Sequence, residues 1–217
     1  MSLSHRMLGS QPGHHAGIIH NPRTYEMLAN LQFLGKRRRI WRQFATASRA
    51  TLGEKVIDIG CGTGYFAATL APIVGSGGFV VGIDPSAQLI QYADDHTPVN
   101  CGFTVTGAEN LPFPDAAFDL AVSSLAFHHI PEELWPQALS EIFRVLRPSG
   151  RLFLADYRPP ERRWAQKLLK SVGGEQATHD PRPDLKSAIL TAAFAISDVG
   201  TYPRMHHIVA FKTQTAA

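Results

Sequence analysis

The stretch Val56-Ile57-Asp58-Ile59-Gly60-Cys61-Gly62-Thr63-Gly64-Tyr65-Phe66 decides the fold of this chain. A short β-branched run carries an aspartate, a glycine turn follows at once, and the residues beyond it predict a helix. Glycine is needed where the backbone takes a positive φ, or where a ligand must approach it without a Cβ in the way. The helix would point free N–H groups and a partial positive charge at the loop. This order of strand, loop and helix is typical of a nucleotide-type cofactor site on a parallel sheet.

The spacing of the glycines indicates which type of nucleotide-related ligand the loop binds. A dinucleotide-binding loop for NAD or FAD follows G-x-G-x-x-G, whereas Gly60, Gly62 and Gly64 follow G-x-G-x-G. Asp58, just before the loop, would repel a pyrophosphate and attract an ammonium or sulfonium group. The sequence therefore favours a cationic ligand. It leaves open whether Asp58 contacts that ligand or holds the loop by a hydrogen bond.

A second apolar strand, Phe79–Asp84, also ends in an acid, and Pro85 follows it. Asp84 lies about 20 residues beyond the glycine loop, the offset at which a carboxylate accepts the hydroxyl groups of a ribose. The alternative is that Asp84 caps the helix that begins at Ser86. We expect the ribose role, because Asp58 and Asp84 occupy corresponding positions in two successive strands.

These segments resemble the class I S-adenosylmethionine-dependent methyltransferases, and among them the small methyltransferases of the ubiquinone/menaquinone-biosynthesis type. The resemblance extends over roughly residues 50–157 through four further motifs in the family's order: Ala108–Asp115, Phe118–Ser124, Leu125–Ile130 and Glu141–Leu152. It implies an α/β, Rossmann-like, seven-stranded sheet, mostly parallel with an antiparallel final strand, and helices on both faces.

The resemblance also implies S-adenosyl-L-methionine as the cofactor, with the methionine part against the glycine loop and the nucleoside at Asp84. The expected cofactor-binding residues are Tyr25, Asp58, Gly60, Cys61, Gly62, Gly64, Asp84, Pro85, Ala108, Glu109 and Ser124.

Three of these expectations rest on position alone. Ala108 and Glu109 stand where the family contacts adenine, and Tyr25 stands on a helix that can close over the cofactor in small relatives. Many relatives carry an aspartate two residues before the glutamate, where this chain has Gly107. The backbone of Ala108 is therefore the expected adenine contact.

His128 and His129 are the candidate catalytic residues. They follow the fourth predicted strand, where an open parallel sheet places its substrate, and imidazole can act as a general base near neutral pH. The alternative is that one histidine caps the helix after Pro131 and the other packs. Asp156 and Tyr157, which end the fifth predicted strand, could also face the acceptor, and the alternative is that they make a structural hydrogen bond.

The expected reaction is methyl transfer to a small organic acceptor at carbon or oxygen. No Asn/Asp-Pro-Pro-Tyr/Phe motif follows the fourth strand, which argues against amino-group methylation of bases or glutamine. Two alternatives stay open. One is an NAD-type oxidoreductase on a similar sheet, and the other is a non-catalytic S-adenosylmethionine-binding domain that regulates or scaffolds a partner.

Composition sets outer limits on function. The chain has 217 residues, 44% of them hydrophobic, with a net charge of +3 and a pI near 9.0. Neither a membrane span nor a signal peptide is expected, and we expect a cytoplasmic protein with free thiols at Cys61 and Cys101. No metal site is expected, because the histidines lack a ligand framework. Nucleic acid is not an expected partner, and a homo-oligomer is compatible with the sequence.

The predicted elements alternate between strand and helix, which indicates a parallel sheet. Strands are predicted at 55–59, 79–84, 102–106, 118–123, 151–157, 196–202 and 207–212, the last two antiparallel. Helices are predicted at 64–73, 86–95, 132–146, 162–172 and 185–194, with a loop or lid at 173–183.

The chain is predicted to form one domain over residues 23–217, after a flexible lead of residues 1–22. Within the domain, residues 23–50 form a helical cap broken near Gly35, residues 51–157 the cofactor-binding core, and residues 158–217 the acceptor side. The basic run Lys36–Arg39, with Arg42, is interpreted as a solvated helix face rather than a nucleic-acid contact.

Overall fold

A sheet of seven strands forms the centre of the computed structural model, which describes residues 22–158, 182–202 and 204–213. The strands are β1 (Lys55–Ile59), β2 (Phe79–Asp84), β3 (Cys101–Val105), β4 (Phe118–Ser124), β5 (Leu146–Tyr157), β6 (Phe194–Tyr202) and β7 (Met205–Lys212). Their order across the sheet is β3-β2-β1-β4-β5-β7-β6.

Strands β1 to β5 pair in parallel, and β7 lies antiparallel between β5 and β6. The chain builds outward from β1 in one direction through β2 and β3, and in the other from β4. The carboxyl ends of β1 and β4 therefore flank the crevice where an open α/β sheet binds its ligand. The predicted mostly parallel sheet with an antiparallel final strand is confirmed.

Six helices are described, and five of them cover the sheet from both sides. They are α1 (Pro22–Gln32), α2 (Arg37–Ala47), α3 (Tyr65–Val74), α4 (Ala87–His96), α5 (Trp135–Val145) and α6 (Arg182–Thr191). Alternate residues of β1 enter opposite cores: Val56 packs with α2 and α3, and Ile57 packs with α5 and α6. This alternation follows from the two-residue period of a strand. None of the described helices is long and apolar enough to cross a membrane.

The N-terminal helical pair differs slightly from its prediction. Helix α1 already begins at Pro22, inside the predicted lead, and proline suits a first helical position because its missing N–H would have no intrahelical partner. The predicted break near Gly35 is confirmed, since Leu34 and Gly35 both take a left-handed backbone conformation between α1 and α2. Residues 1–21 lie outside the described part of the chain.

The predicted helix over residues 132–146 is wrong at both ends. Glu132–Leu134 form a 3₁₀ turn, and α5 begins only at Trp135, whose indole N–H donates to the carbonyl oxygens of Phe127 and Ile130. Leu146 is extended and starts β5, five residues earlier than predicted. A register shift in the pairing with β4 and a positive φ at Ser149 accommodate this added strand length.

The bounds of the C-terminal helix and of the loop before it also differ from their predictions. Helix α6 covers Arg182–Thr191 rather than residues 185–194, because Ala193 leaves the helical conformation with φ +63° and Phe194 begins β6. The predicted loop over residues 173–183 is therefore wrong at its last two positions. The rest of that loop, and the predicted helix over residues 162–172, lie outside the described residues.

Candidate functional site

The glycine loop, residues 60–64, joins β1 to α3 at the carboxyl edge of the sheet. Its three glycines are all left-handed, with φ of +67° at Gly60, +54° at Gly62 and +75° at Gly64. A Cβ at Gly60 would collide with the Cβ of Ala126, which follows β4. Glycine is thus required at residue 60 both by the backbone conformation and by the close approach of the segment after β4.

Asp58 of β1 is fully buried, and neither of its carboxylate oxygens has a hydrogen-bond partner among the described residues. Burial, together with a smaller contribution from the neighbouring Asp84 carboxylate, raises the pKa of this carboxyl from 3.8 to about 8. The backbone N–H of Ala67 opposes the shift without reaching hydrogen-bond geometry. Asp58 therefore makes no hydrogen bond that holds the loop. An unpaired buried carboxyl is costly, and a cationic partner would relieve that cost.

Asp84, at the end of β2, ties the glycine loop to the start of α4. Its Oδ2 accepts from the backbone N–H of Gly62 at 3.0 Å, and its Oδ1 accepts from the N–H of Ser86 at 2.9 Å. Partial burial raises the pKa of this carboxyl, and the two N–H donors counteract the rise. The helix cap is Ser86, whose hydroxyl accepts from Leu89, so the alternative role of Asp84 as the cap is wrong. Asp84 stays accessible on one side, next to the exposed Pro85.

Both cysteines are free thiols, and the Asp58 carboxylate acts on the pKa of each of them. Burial raises the pKa of Cys61, in the glycine loop, well above its ordinary value, and the carboxylates of Asp58 and Asp84 add to the rise. Burial likewise raises the pKa of Cys101 to about 11. Because the thiolate is the reactive form of cysteine, neither thiol is set up as a nucleophile near neutral pH.

The segment after β3 carries Ala108, which is buried, and Glu109, which is half-buried. The Glu109 carboxylate folds back into the space that a side chain at Gly107 would fill. Helix α5 fixes the segment, because the Arg144 guanidinium donates to backbone carbonyl oxygens of Leu111 and Phe113 at 3.0 and 2.8 Å. A carboxylate is therefore present beside Gly107, where many relatives of the resembled family have their aspartate.

His128 and Asp156 form a pair across the ends of β4 and β5. The His128 Nδ1–H donates to Asp156 Oδ1 at 2.6 Å, and the His128 backbone N–H donates to Oδ2 at 3.0 Å. Asp156 is fully buried, whereas 33% of the His128 side chain is exposed. In a neutral imidazole that donates from Nδ1, the other ring nitrogen, Nε2, is the proton-accepting atom. The cap interpretation of His128 is wrong, because its side chain binds Asp156.

His129 lies against His128, with ring centroids 3.9 Å apart. Partial desolvation of the ring lowers the pKa of His129, the neighbouring His128 lowers it as well, and Asp156 partly opposes the shift. Ser124 is the last residue of β4 rather than the first beyond it. Tyr25 belongs to α1, but its side chain lies outside what the structure describes.

The sequence pattern does not predict the bridge that joins α1 to the glycine loop. Glu26 of α1 accepts from the hydroxyl of Thr63 and from the buried guanidinium of Arg37, with Arg37 distances of 2.5 and 3.1 Å. The Arg37 guanidinium also lies 3.7 Å from the ring centroid of Tyr65 at the start of α3. The one available signal was that Glu26 is the only acid in a strongly basic segment, residues 22–49.

One edge of the sheet thus brings together most of the predicted residues. Asp58, the glycine loop and Asp84 are neighbours, and Ala126 joins the loop to the segment that carries His128. Among the described residues, no group of three or more His, Cys, Asp or Glu side chains could hold a metal ion. The edge offers an unpaired buried acid, backbone donors and an oriented imidazole.

A family profile for a methyltransferase domain matches residues 56–150. The chain is 32% identical over 152 residues to the ubiquinone/menaquinone biosynthesis C-methyltransferase UbiE of Haemophilus ducreyi, covering 67% of this chain and 58% of that protein. It is 35% identical over 128 residues to the 2-phytyl-1,4-naphtoquinone methyltransferase of Synechococcus elongatus, covering 56% and 54%. The chain therefore spans somewhat more than half the length of these relatives.

Solved structures confirm the Rossmann-like fold. A SAM-dependent methyltransferase from Aquifex aeolicus superposes with a TM-score of 0.70 at 20% identity, covering 89% of this chain and 99% of that one. The [4+2]-cyclase SpnF superposes with a TM-score of 0.66, also at 20% identity, covering 81% and 80%. Because this fold also serves a cyclase, the fold alone does not decide the reaction.

Proposed function

Because the chain belongs to the class I S-adenosylmethionine-dependent methyltransferases, we propose that it transfers a methyl group from S-adenosyl-L-methionine to a small organic acceptor at carbon or oxygen. The observation that carries the proposal is the unpaired, fully buried Asp58 carboxyl behind a loop of three left-handed glycines. No protein group described in the structure satisfies that acid. The family match also leaves the NAD-type alternative without support.

The residues at the edge fit the cofactor. Asp58 would receive the ammonium end of its methionine part, and the loop at Gly60 and Gly62 would lie along that part without side chains in the way. Asp84 would accept the ribose hydroxyl groups with oxygen lone pairs that its two backbone donors leave free. The backbone of Ala108 and the carboxylate of Glu109 would face the adenine. When bound, the cofactor supplies an electrophilic methyl group on a positively charged sulfur.

The His128–Asp156 pair suits an acceptor that must lose a proton. Asp156 holds the Nδ1–H and so sets the orientation of the partly exposed ring, whose Nε2 would accept a hydroxyl proton. Removing that proton places negative charge on the acceptor oxygen and, in a hydroxyaromatic ring, on the adjacent ring carbon. We assign His128 as the general base. His129 flanks it as a second, weaker candidate.

A quinol is the acceptor class that this arrangement and the relatives favour together. The two relatives above are named for methylation in ubiquinone and menaquinone biosynthesis and of a naphthoquinone. A quinol presents a hydroxyl beside an unsubstituted ring carbon. The methyl group would bond to that carbon, the sulfur would keep the electron pair of the broken bond, and the ring proton would leave to solvent.

Calorimetry and label transfer test the proposal. The protein should bind S-adenosylmethionine and its demethylated product, and should not bind NAD. Methyl-labelled cofactor should then yield labelled product from a 1,4-naphthoquinol that lacks the ring methyl group. Binding of NAD alone would overturn the cofactor assignment. Cofactor binding without label transfer to this quinol or to any component of a metabolite extract would favour a non-catalytic domain.

A further inference from the structure

An exposed apolar stripe runs along α1, outside the site. Met27, Leu31 and Leu34 are 63%, 67% and 78% exposed. Their spacing of four residues places Met27 and Leu31 on one face of the helix, and Leu34 follows two residues beyond its end. Large apolar side chains exposed singly are ordinary, but a contiguous stripe is typical of a surface that meets an apolar phase or partner.

A row of cations follows the stripe directly in the chain. Lys36, Arg38, Arg39 and Arg42 are all exposed, while the opposite face of α2 is buried against the sheet. None of the four makes an ion pair with the residues that the structure describes. An open groove of about 460 Å³ lies along this face, and its lining includes three arginines and no acid.

Glu26 does not offset this charge. It is the only acid in residues 22–49, and its carboxylate is taken by Arg37 and Thr63. The same contacts tie α1, which carries Met27 and Leu31, to the first residue of α2 and to the glycine loop. We call the stripe and the row together the N-terminal patch.

We propose that the N-terminal patch docks this protein on an anionic phospholipid membrane surface, with the row at the headgroups and the stripe at the acyl boundary. Clusters of four or more Lys and Arg next to an amphipathic helix attract anionic lipid, and buried apolar side chains add to that attraction. This inference goes beyond methyl transfer and does not depend on it.

Two other occupants fit the patch less well. Nucleic acid would use the cations but would leave the apolar stripe of α1 without a role. A second copy that met the patch about a two-fold axis would bring the four cations against their equivalents, which is repulsive. An anionic membrane surface would contact both the row of cations and the apolar stripe.

Co-sedimentation of the full chain with vesicles tests the proposal. The protein should co-sediment with vesicles of phosphatidylcholine and phosphatidylglycerol but not with vesicles of phosphatidylcholine alone. Added salt should release the protein from the anionic vesicles. At about fivefold per cation, replacing three arginines together (R38Q/R39Q/R42Q) should weaken partitioning roughly a hundredfold. Leu31→Gln should weaken it as well.

Leu190→Gln is the matched control, because Leu190 is 57% exposed on α6, away from the patch. It should bind vesicles like the unchanged protein, and thermal unfolding should show that every variant is folded. Failure to bind anionic vesicles, or equal binding to neutral ones, would overturn the proposal. So would an oligomeric state that the arginine substitutions disrupt, or binding to an oligonucleotide that is stronger than to vesicles and indifferent to Leu31→Gln.

Discussion

At the scale of single residues, Asp58 makes the fold sensitive to pH. Its pKa is about 8 in the folded chain and near its ordinary 3.8 when unfolded. Between these values the folded state holds a proton that the unfolded state has released, so stability falls as pH rises through this window. We expect Asp58→Asn to flatten the fall in unfolding free energy between about pH 5 and pH 8, as measured by urea titration at each pH. An unchanged slope would contradict the assignment of this proton to Asp58.

The His128–Asp156 pair leads to a kinetic prediction, also at the residue scale. His128→Gln should lower kcat on an acceptor that loses a proton by roughly 10²–10⁴-fold, while cofactor affinity stays unchanged. Asp156→Asn should lower kcat less, because it disturbs the ring orientation but leaves Nε2 in place. His129→Gln is the control and should retain most of the activity. If His129→Gln proved the more damaging change, the base would have to be reassigned.

At the scale of elements, the bridge through Glu26, Arg37 and Thr63 decides how α1 sits on the site. Arg37 is 4% exposed, and removing one partner of a buried charge pair is destabilising. Because Glu26 is partly exposed, we expect Arg37→Met to cost about 1–3 kcal/mol. Hydrogen exchange should rise throughout α1, and cofactor affinity should fall. Arg38→Met, one residue along on the exposed face, is the control. Equal effects of the two changes would show that the bridge does not hold α1.

A second prediction at the element scale concerns the link between α5 and the segment after β3. Arg144 donates to two backbone carbonyl oxygens of that segment and to the carboxylates of Asp115 and Glu141. A lysine keeps the charge but lacks the planar fork of donors. Arg144→Lys should therefore weaken binding of adenosine-containing ligands and leave the His128 segment undisturbed. Calorimetry with S-adenosylhomocysteine measures the loss, and unchanged affinity would contradict it.

At the scale of the whole molecule, a ligand that binds only the folded chain must raise its unfolding temperature. At a free concentration a hundredfold above Kd, mass action adds about 2.7 kcal/mol, which is roughly 5–10 °C for a chain of this size. We expect this shift with S-adenosylhomocysteine and none with NAD. Asp84→Asn, which removes the charge at the expected ribose contact, should shrink the shift. A shift with NAD would instead support a dinucleotide site.

An element is predictable from the sequence to the extent that its bounds depend on interactions between neighbouring residues. The strand before Gly60, the glycine loop and α3 depend on neighbouring residues, and their predicted bounds hold to within one position. The start of α5 depends on Trp135, which donates back to the turn after β4, and this contact is absent from any local pattern. The end of α5 depends on pairing between Leu146 and Phe118, which also joins distant segments.

The features of the candidate site also divide into those that a local sequence pattern predicts and those that depend on distant residues. The roles considered for Asp58 and Asp84 follow from residue type and spacing, and the structure then removed one alternative for each of them. The pairing of His128 with Asp156 joins residues 28 positions apart, and that of Glu26 with Thr63 joins residues 37 apart. Such pairs are set by which strand ends and helices become neighbours, which a linear pattern does not encode.

The sequence by itself determined the parallel α/β sheet, the left-handed glycine loop and the two acids beside it, because strand period and backbone sterics act between near neighbours. Only the tertiary structure decided that Asp58 has no hydrogen-bond partner in the described part of the chain, that Asp156 orients His128, and that Glu26 joins α1 to the loop. Burial and hydrogen bonding depend on the packing of segments far apart in the chain, and that packing exists only once the sheet is assembled.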